Sequence, residues 1–157
     1  MNDWTVTSLS LFQHTGFTAF WYNKTYRFAT DEPITLDGAL TDVGANLNVT
    51  SGAFTCPSTG TYLFFVATQC QAESSTFSRI VMSQHPNQTV VVGSGLVQTQ
   101  TGHMMVAECN EGERVWLTVF DYSDNTYQGS PDSKTSTFSG FKLRKKLLPR
   151  HTSFYLQ

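Results

Sequence analysis

Between Gly52 and Val66 the chain reads as a strand, a turn and a strand. Ala53-Phe54-Thr55 and the run from Thr61 onward have β-type side chains, while Cys56-Pro57-Ser58-Thr59-Gly60 lies between them. Pro57 removes a ladder donor and Gly60 permits a positive φ, so the chain must reverse there. Side chains of a strand alternate between its faces, which puts Tyr62, Phe64 and Val66 on one side and Leu63, Phe65 and Ala67 on the other. Both rows are apolar. Antiparallel sheets commonly keep one face in water, so this strand is either central to a parallel sheet or covered a second time by something else.

Similar short runs recur along the chain. Strands are predicted over Gly16–Tyr22, Ile34–Leu36, Leu40–Gly44 leading into Asn46–Thr50, Thr76–Met82, Thr89–Thr99, His103–Cys109, Glu113–Tyr122 and Ser136–Leu143. The breaks between them carry turn residues: Asp37-Gly38, His85-Pro86-Asn87, and Asn110-Glu111-Gly112, where Gly112 suits the left-handed region of a hairpin. No window of a dozen residues keeps a 3.6-residue period free of Gly, Pro and β-branched runs, so helices are not expected. Eight to ten short strands with turns every 8 to 12 residues or so point to a β-sandwich or jelly roll. Parallel strands need crossover helices, which removes the parallel-sheet explanation for residues 61–69. A homo-oligomer interface is the simplest cover for the second apolar face, and closure of a large sandwich core around the strand is its rival.

Composition agrees with a single aromatic-cored domain. The chain has 157 residues, 14% charged and 13% aromatic, where an average soluble domain carries about 25% charged residues. The formal charge of −2 hides an asymmetry: Lys142, Arg144, Lys145, Lys146 and Arg150 are half of the ten basic residues, leaving five basic against twelve acidic side chains over residues 1–141. Such a body lacks the clustered Lys and Arg that phosphate backbones require, so nucleic acid is not an expected partner. No window approaches ~18 consecutive apolar residues, and no membrane span is expected. Met1-Asn2-Asp3-Trp4 has none of the features of a secretory signal, which fits a mature or trimmed chain. Sequons at Asn23, Asn48 and Asn87 fit a secreted glycoprotein. Cys56, Cys70 and Cys109 allow three single bridges, each leaving one thiol over, and their spacing suits no structural zinc site.

Enzyme-like signals are weak. His14, His85, His103 and His151 lie far apart and read as surface or loop histidines, with no ligand pair for a metal. Gly93-Ser94-Gly95 is a flexible strand element and not a nucleophile elbow. Carboxylates pair up at Asp31-Glu32, Glu111 and Glu113, and Asp121 and Asp124, all in turns where acidic side chains are commonly solvated. The loop holding Asp121, Tyr122, Asp124, Asn125 and Tyr127 combines carboxylates, an amide and tyrosines of the kind that line sugar or calcium sites, and it is the candidate ligand-binding loop; a plain solvated loop is the competing reading.

Six runs in one order carry a family likeness. Pro33-Ile34-Thr35-Leu36-Asp37, Asn48 through Gly52-Ala53-Phe54-Thr55-Cys56-Pro57, Gly60-Thr61-Tyr62-Leu63-Phe64, Gly112-Glu113-Arg114-Val115-Trp116-Leu117, Tyr127-Gln128-Gly129-Ser130 and Thr137-Phe138-Ser139-Gly140-Phe141 together resemble the C1q domain, the globular head of complement C1q, cerebellin and adiponectin. On this likeness residues 1–15 are an N-terminal segment, 16–143 the head and 144–157 a basic tail. The resemblance implies a ten-strand jelly-roll sandwich of two antiparallel sheets, assembled as a trimer. It also implies that Leu63, Phe65 and Ala67 face neighbouring subunits while Tyr62, Phe64 and Val66 fill the core, and that Phe138 and Phe141, of opposite parity, take one role each. The family's collagen stalk or coiled coil is missing, which implies a head-only protein or an excised domain. The second cysteine that complement heads carry early in the strand after residue 75 is missing too. Val97 to Gly102, where calcium-binding members place acidic residues, has no carboxylate, and neither a metal nor a cofactor is expected.

The function implied is that of a secreted, non-enzymatic pattern-recognition protein. A homotrimer would bind glycans or microbial surface ligands in a lectin-like way through its loops, with weak single sites strengthened by avidity. The alternative is a trimeric signalling ligand for a cell-surface receptor.

Overall fold

A computed structural model describes residues 14–22, 24–26, 32–71, 76–85, 87, 90–94, 100–120 and 125–143. The strands are β1 (Gly16–Trp21), β2 (Lys24–Tyr26), β3 (Gly38–Val43), β4 (Leu47–Asn48), β5 (Ala53–Thr55), β6 (Gly60–Gln69), β7 (Thr76–Met82), β8 (Val90–Ser94), β9 (Gln100–Cys109), β10 (Arg114–Val119), β11 (Asn125–Tyr127) and β12 (Ser136–Lys142). Ten of them build two five-stranded sheets, ordered β3-β1-β12-β6-β9 and β4-β5-β10-β7-β8, and β11 pairs with β2 in a two-stranded ribbon. All the pairings within the sheets and the ribbon are antiparallel. The chain crosses from one sheet to the other after β3, β5, β6, β8, β9 and β10, the winding of a jelly roll.

The core lies between the sheets and is largely aromatic. Phe17 stacks on Phe54 with centroids 4.8 Å apart and meets Phe138 edge-on at 5.0 Å. Phe64 stands 6.1 Å from Tyr62 and 6.2 Å from Phe138, continuing the cluster along β6. The close packing needs a glycine at 140: a Cβ there would come within 2.7 Å of the rings of both Phe17 and Phe64. Gly112, at φ 78°, turns the β9–β10 hairpin in the left-handed region as its position predicts.

Two elements differ from expectation. Ile34–Leu36 makes no ladder because its donors go to different places: the Ile34 N–H donates to the Leu117 carbonyl at 2.7 Å and the Leu36 N–H to the Val49 carbonyl at 3.4 Å. Both side chains are nonetheless buried, so the segment packs as core without being a strand. The β2–β11 ribbon was not anticipated. It recruits Asn125–Tyr127 from a stretch whose composition predicts a loop, through pairs such as Thr126 with Thr25.

The second apolar face of β6 is explained by its place in the sheet. β6 sits between β12 and β9, and its inward row, Tyr62, Phe64 and Val66, is fully buried against the other sheet. The second sheet covers that face only. Phe65, on the opposite face, stays 39% exposed, so the sandwich core does not close around the strand.

Candidate functional site

Strand register assembles the outward row of β6 into a band across its whole sheet. Val43 pairs with Gly16, Gly16 with Phe141, Phe141 with Leu63, and Leu63 with Val106, which places an apolar line across all five strands. In the neighbouring line Ser139 pairs with Phe65 and Phe65 with Met104. Val43, Phe141, Met104 and Val106 are each about half exposed or more. Exposed apolar patches are commonly places where proteins associate. Phe138 is wholly buried and Phe141 is 46% exposed, which puts one in the core and the other on the outer face. Ala67 has outward parity but is already buried within the single chain, which leaves it little area to offer a neighbour. Met104 and Val106 were missed in the sequence, although Met104-Met105-Val106-Ala107 carries the same both-faces-apolar signature as β6.

The outer face of the second sheet has a different chemistry. Arg114, Trp116 and Phe120 alternate with the buried Val115, Leu117 and Val119, while Thr118, in the same row as Trp116, is itself buried. The Arg114 guanidinium lies 5.8 Å from the Trp116 ring and that of Arg79, on β7, 5.6 Å from the Phe120 ring. Phe120 is 44% exposed. This face points away from the apolar band.

At one end of the sandwich two turns are tied by a buried carboxylate. Glu113 has no exposed surface and accepts hydrogen bonds from the Gln84 N–H at 3.0 Å and the Asn110 N–H at 3.0 Å. Its two oxygens also meet His85 Nδ1 at 2.9 and 3.0 Å. The Asn110 side-chain amide closes the link by donating to Gln84 Oε1 at 2.9 Å. Glu113 is therefore a structural anchor, contrary to the solvated turn residue its position suggests. Lys142 ties a third turn, donating from Nζ to the Ser58 hydroxyl at 2.7 Å and the Thr59 carbonyl at 2.9 Å.

The predicted ligand loop is corrected in part. Asn125 and Tyr127 are buried in β11, and their polar atoms serve the fold. Asn125 Oδ1 accepts from the Phe77 N–H at 2.6 Å, and the Tyr127 hydroxyl bonds the Ser78 hydroxyl at 2.7 Å while its ring meets Trp21 edge-on at 5.7 Å. Neither can meet a ligand in this conformation. Asp121, Tyr122 and Asp124 lie outside the described residues, as does the Asn23 sequon. Asn48 and Asn87 are exposed, and Asn48 Oδ1 accepts from the Ser51 N–H, three residues on, at 2.9 Å. Among the described residues no three His, Cys, Asp or Glu side chains gather as a metal site, and no helix is long and apolar enough to cross a membrane.

The two packed antiparallel sheets, wound as they are, define a jelly-roll domain with one apolar outer face. The family model of the C1q domain matches residues 16–143, and the chain belongs to the C1q domain family. It is 30% identical over 130 residues to caprin-2 of Danio rerio, a match covering 80% of this chain and 14% of that protein. With complement C1q tumor necrosis factor-related protein 2 of Mus musculus it shares 28% identity over 111 residues, covering 71% of this chain and 37% of the relative. The chain thus spans well under half the length of both curated relatives. Among solved structures, the globular domain of zebrafish complement 1qA aligns with a TM-score of 0.62 at 19% identity, covering 84% of this chain and 98% of that one. Murine APRIL aligns at 0.59 with 11% identity, covering 83% and 99% of the two chains. Eiger TNF from S. frugiperda aligns at 0.57 with 14% identity, covering 87% and 97%. At these identities the structural likeness speaks for the fold.

Proposed function

We propose that the chain acts as a secreted, non-enzymatic recognition protein, a homotrimer that binds glycans or microbial surface polymers by avidity. The observation that carries this reading is the uncovered apolar band through Val43, Phe141, Leu63 and Val106, with Phe65 and Met104 beside it. A sheet face of this character needs a partner, and a second and third copy of the same chain supply one in keeping with family membership. Association through that face leaves the opposite sheet and the loops in solvent, each repeated three times. Ligand contact is assigned to Asp121, Tyr122 and Asp124 together with the neighbouring Phe120 and Arg79, a combination of carboxylate, aromatic and cationic groups suited to sugars. Single sites that bind weakly gain apparent affinity when three are linked. Asn23, Asn48 and Asn87 are the proposed glycosylation positions.

A glycan and microbial-polymer array tests the ligand half of the proposal. Binding that falls by at least tenfold when the assembly is dissociated supports it; no signal above background on any sugar or polymer contradicts it. The second reading, a trimeric ligand for a cell-surface receptor, draws on the 28% identity with the mouse tumor necrosis factor-related relative. It predicts stoichiometric capture of one surface protein in place of the array signal.

A further inference from the structure

Two turns at one end of the sandwich bring together cysteines that are far apart in the sequence. Cys56 opens the turn between β5 and β6, and Cys109 is the last residue of β9. Gly60, the first residue of β6, is the strand partner of Cys109, so the Cys56 turn folds back beside the end of β9. Backbone bonds hold it there: the Cys56 N–H donates to the Glu113 carbonyl and the Gly112 N–H to the Cys56 carbonyl, both at 2.8 Å. The Glu111 N–H adds a bond to the Thr59 hydroxyl at 3.0 Å. Both cysteine side chains are fully buried, and each is a free thiol in this structure.

We infer that Cys56 and Cys109 are a disulfide-forming pair, whose oxidation staples the β5–β6 turn to the β9–β10 hairpin. The fold selects this pairing from the three that composition allows. Cys70 follows Gln69 at the far end of the ten-residue β6, about 30 Å from Gly60 at strand rise. A disulfide requires Cα atoms within about 7 Å, so neither Cys56 nor Cys109 can reach Cys70 within one chain. Glu113, Asn110 and Lys142 fix the turns around the two cysteines.

The oxidant is an external disulfide, either a small molecule such as glutathione disulfide or a thiol–disulfide oxidoreductase. One cysteine thiolate attacks a sulfur of that disulfide, forming a mixed disulfide and expelling one thiolate, which takes up a proton. The second cysteine, as thiolate, then attacks the protein sulfur of the mixed disulfide and expels the other thiolate, which is likewise protonated. Two protein thiols are oxidised and one external disulfide is reduced to two thiols. In the folded chain the hydrogen bond with Cys109, followed by burial, pushes the Cys56 thiol well up, so the reactive thiolate is scarce. Exchange therefore belongs to the stage before the turns pack. The finished bond is then sealed from reductant.

The test is to refold the intact denatured chain in glutathione buffers from reducing to oxidising. Free thiols are then alkylated, peptides mapped without reduction and urea midpoints measured. The same mapping on natively purified protein treated with a small activated disulfide keeps the question open to measurement should refolding fail. The expected result is a peptide linked through Cys56 and Cys109, lighter by two hydrogens. Closing a loop of roughly fifty residues should raise the folding equilibrium constant by roughly a hundred- to a thousandfold over the reduced chain, a gain lost in Cys109→Ser. Alkylation of both residues at every poise in both preparations overturns the inference, as does a bridge to Cys70. So does a linked chain with an unchanged midpoint, which would mean that the bond staples nothing.

Discussion

Adjacent phenylalanines on β6 offer the sharpest separation of folding from assembly. Phe64 is wholly buried, with Tyr62, Phe54 and Phe138 rings 6.1 to 6.2 Å away, whereas Phe65 is 39% exposed on the outer face. Phe64→Glu removes about 2–3 kcal/mol of apolar burial and forces a carboxylate among aromatic rings, adding several kcal/mol of desolvation. The sum approaches the whole stability of a domain, about 5–15 kcal/mol, so this variant should not fold. Phe65→Glu leaves the carboxylate in water in the single chain and should cost it only about 1 kcal/mol. In the assembly the same substitution buries an unpaired charge in each subunit at several kcal/mol apiece, which should dissociate it. Circular dichroism with urea titration reads the first effect and light scattering after size exclusion the second. The assignment of faces is refuted if both variants unfold, or if Phe65→Glu leaves the wild-type mass unchanged.

Other expectations follow from the same geometry. Glu113→Ala strands the Gln84 and Asn110 N–H groups and His85, and should destabilise the domain by about 3–5 kcal/mol in urea melts; a loss under 1 kcal/mol would mean the carboxylate is dispensable. Gly140→Ala should cost about 1–3 kcal/mol because its Cβ meets two packed rings at 2.7 Å, and an unchanged melting temperature would contradict that packing. Asn125→Ala should lower stability by about 1–3 kcal/mol through the stranded Phe77 N–H, with per-molecule sugar binding intact at temperatures where the chain is folded; selective loss of binding would return Asn125 to the ligand site. Alkaline pH should weaken the reduced fold: the hydrogen bond with Cys109 and then burial raise Cys56 above 9.0, and burial raises Tyr62 above 10.0. Both groups ionise first in the unfolded chain, so their contribution is complete below about pH 9 and is lost as pH climbs beyond it. A urea midpoint that stays level up to about pH 11 would contradict this.

Period-2 alternation made β6 legible because burial on one face and apolar residues on the other leave separate marks in the sequence. Thr76–Met82 formed with the expected bounds for the same reason: Thr76, Ser78, Ile80 and Met82 point inward without interruption. Residues 121–127 misled because their Asp, Ser and Asn composition signals a turn, while the strand character of Asn125–Tyr127 comes from Lys24–Tyr26, a distant segment. Glu113 is a similar case. Its burial depends on donors from Gln84, His85 and Asn110, and no local pattern distinguishes a carboxylate so enclosed from a solvated one. Of the outward apolar band, Leu63 and Phe65 were readable from one strand and either Phe138 or Phe141 was expected beside them, but the choice of Phe141 and the place of Val43 follow only from the register of four pairings.

If the apolar band is covered by copies of the same chain, the protein is a trimer in solution. Sedimentation equilibrium of the wild-type protein at micromolar concentration measures this directly. A single species of three times the 17.5 kDa chain mass is the predicted result, and a monomer at that concentration would contradict the account.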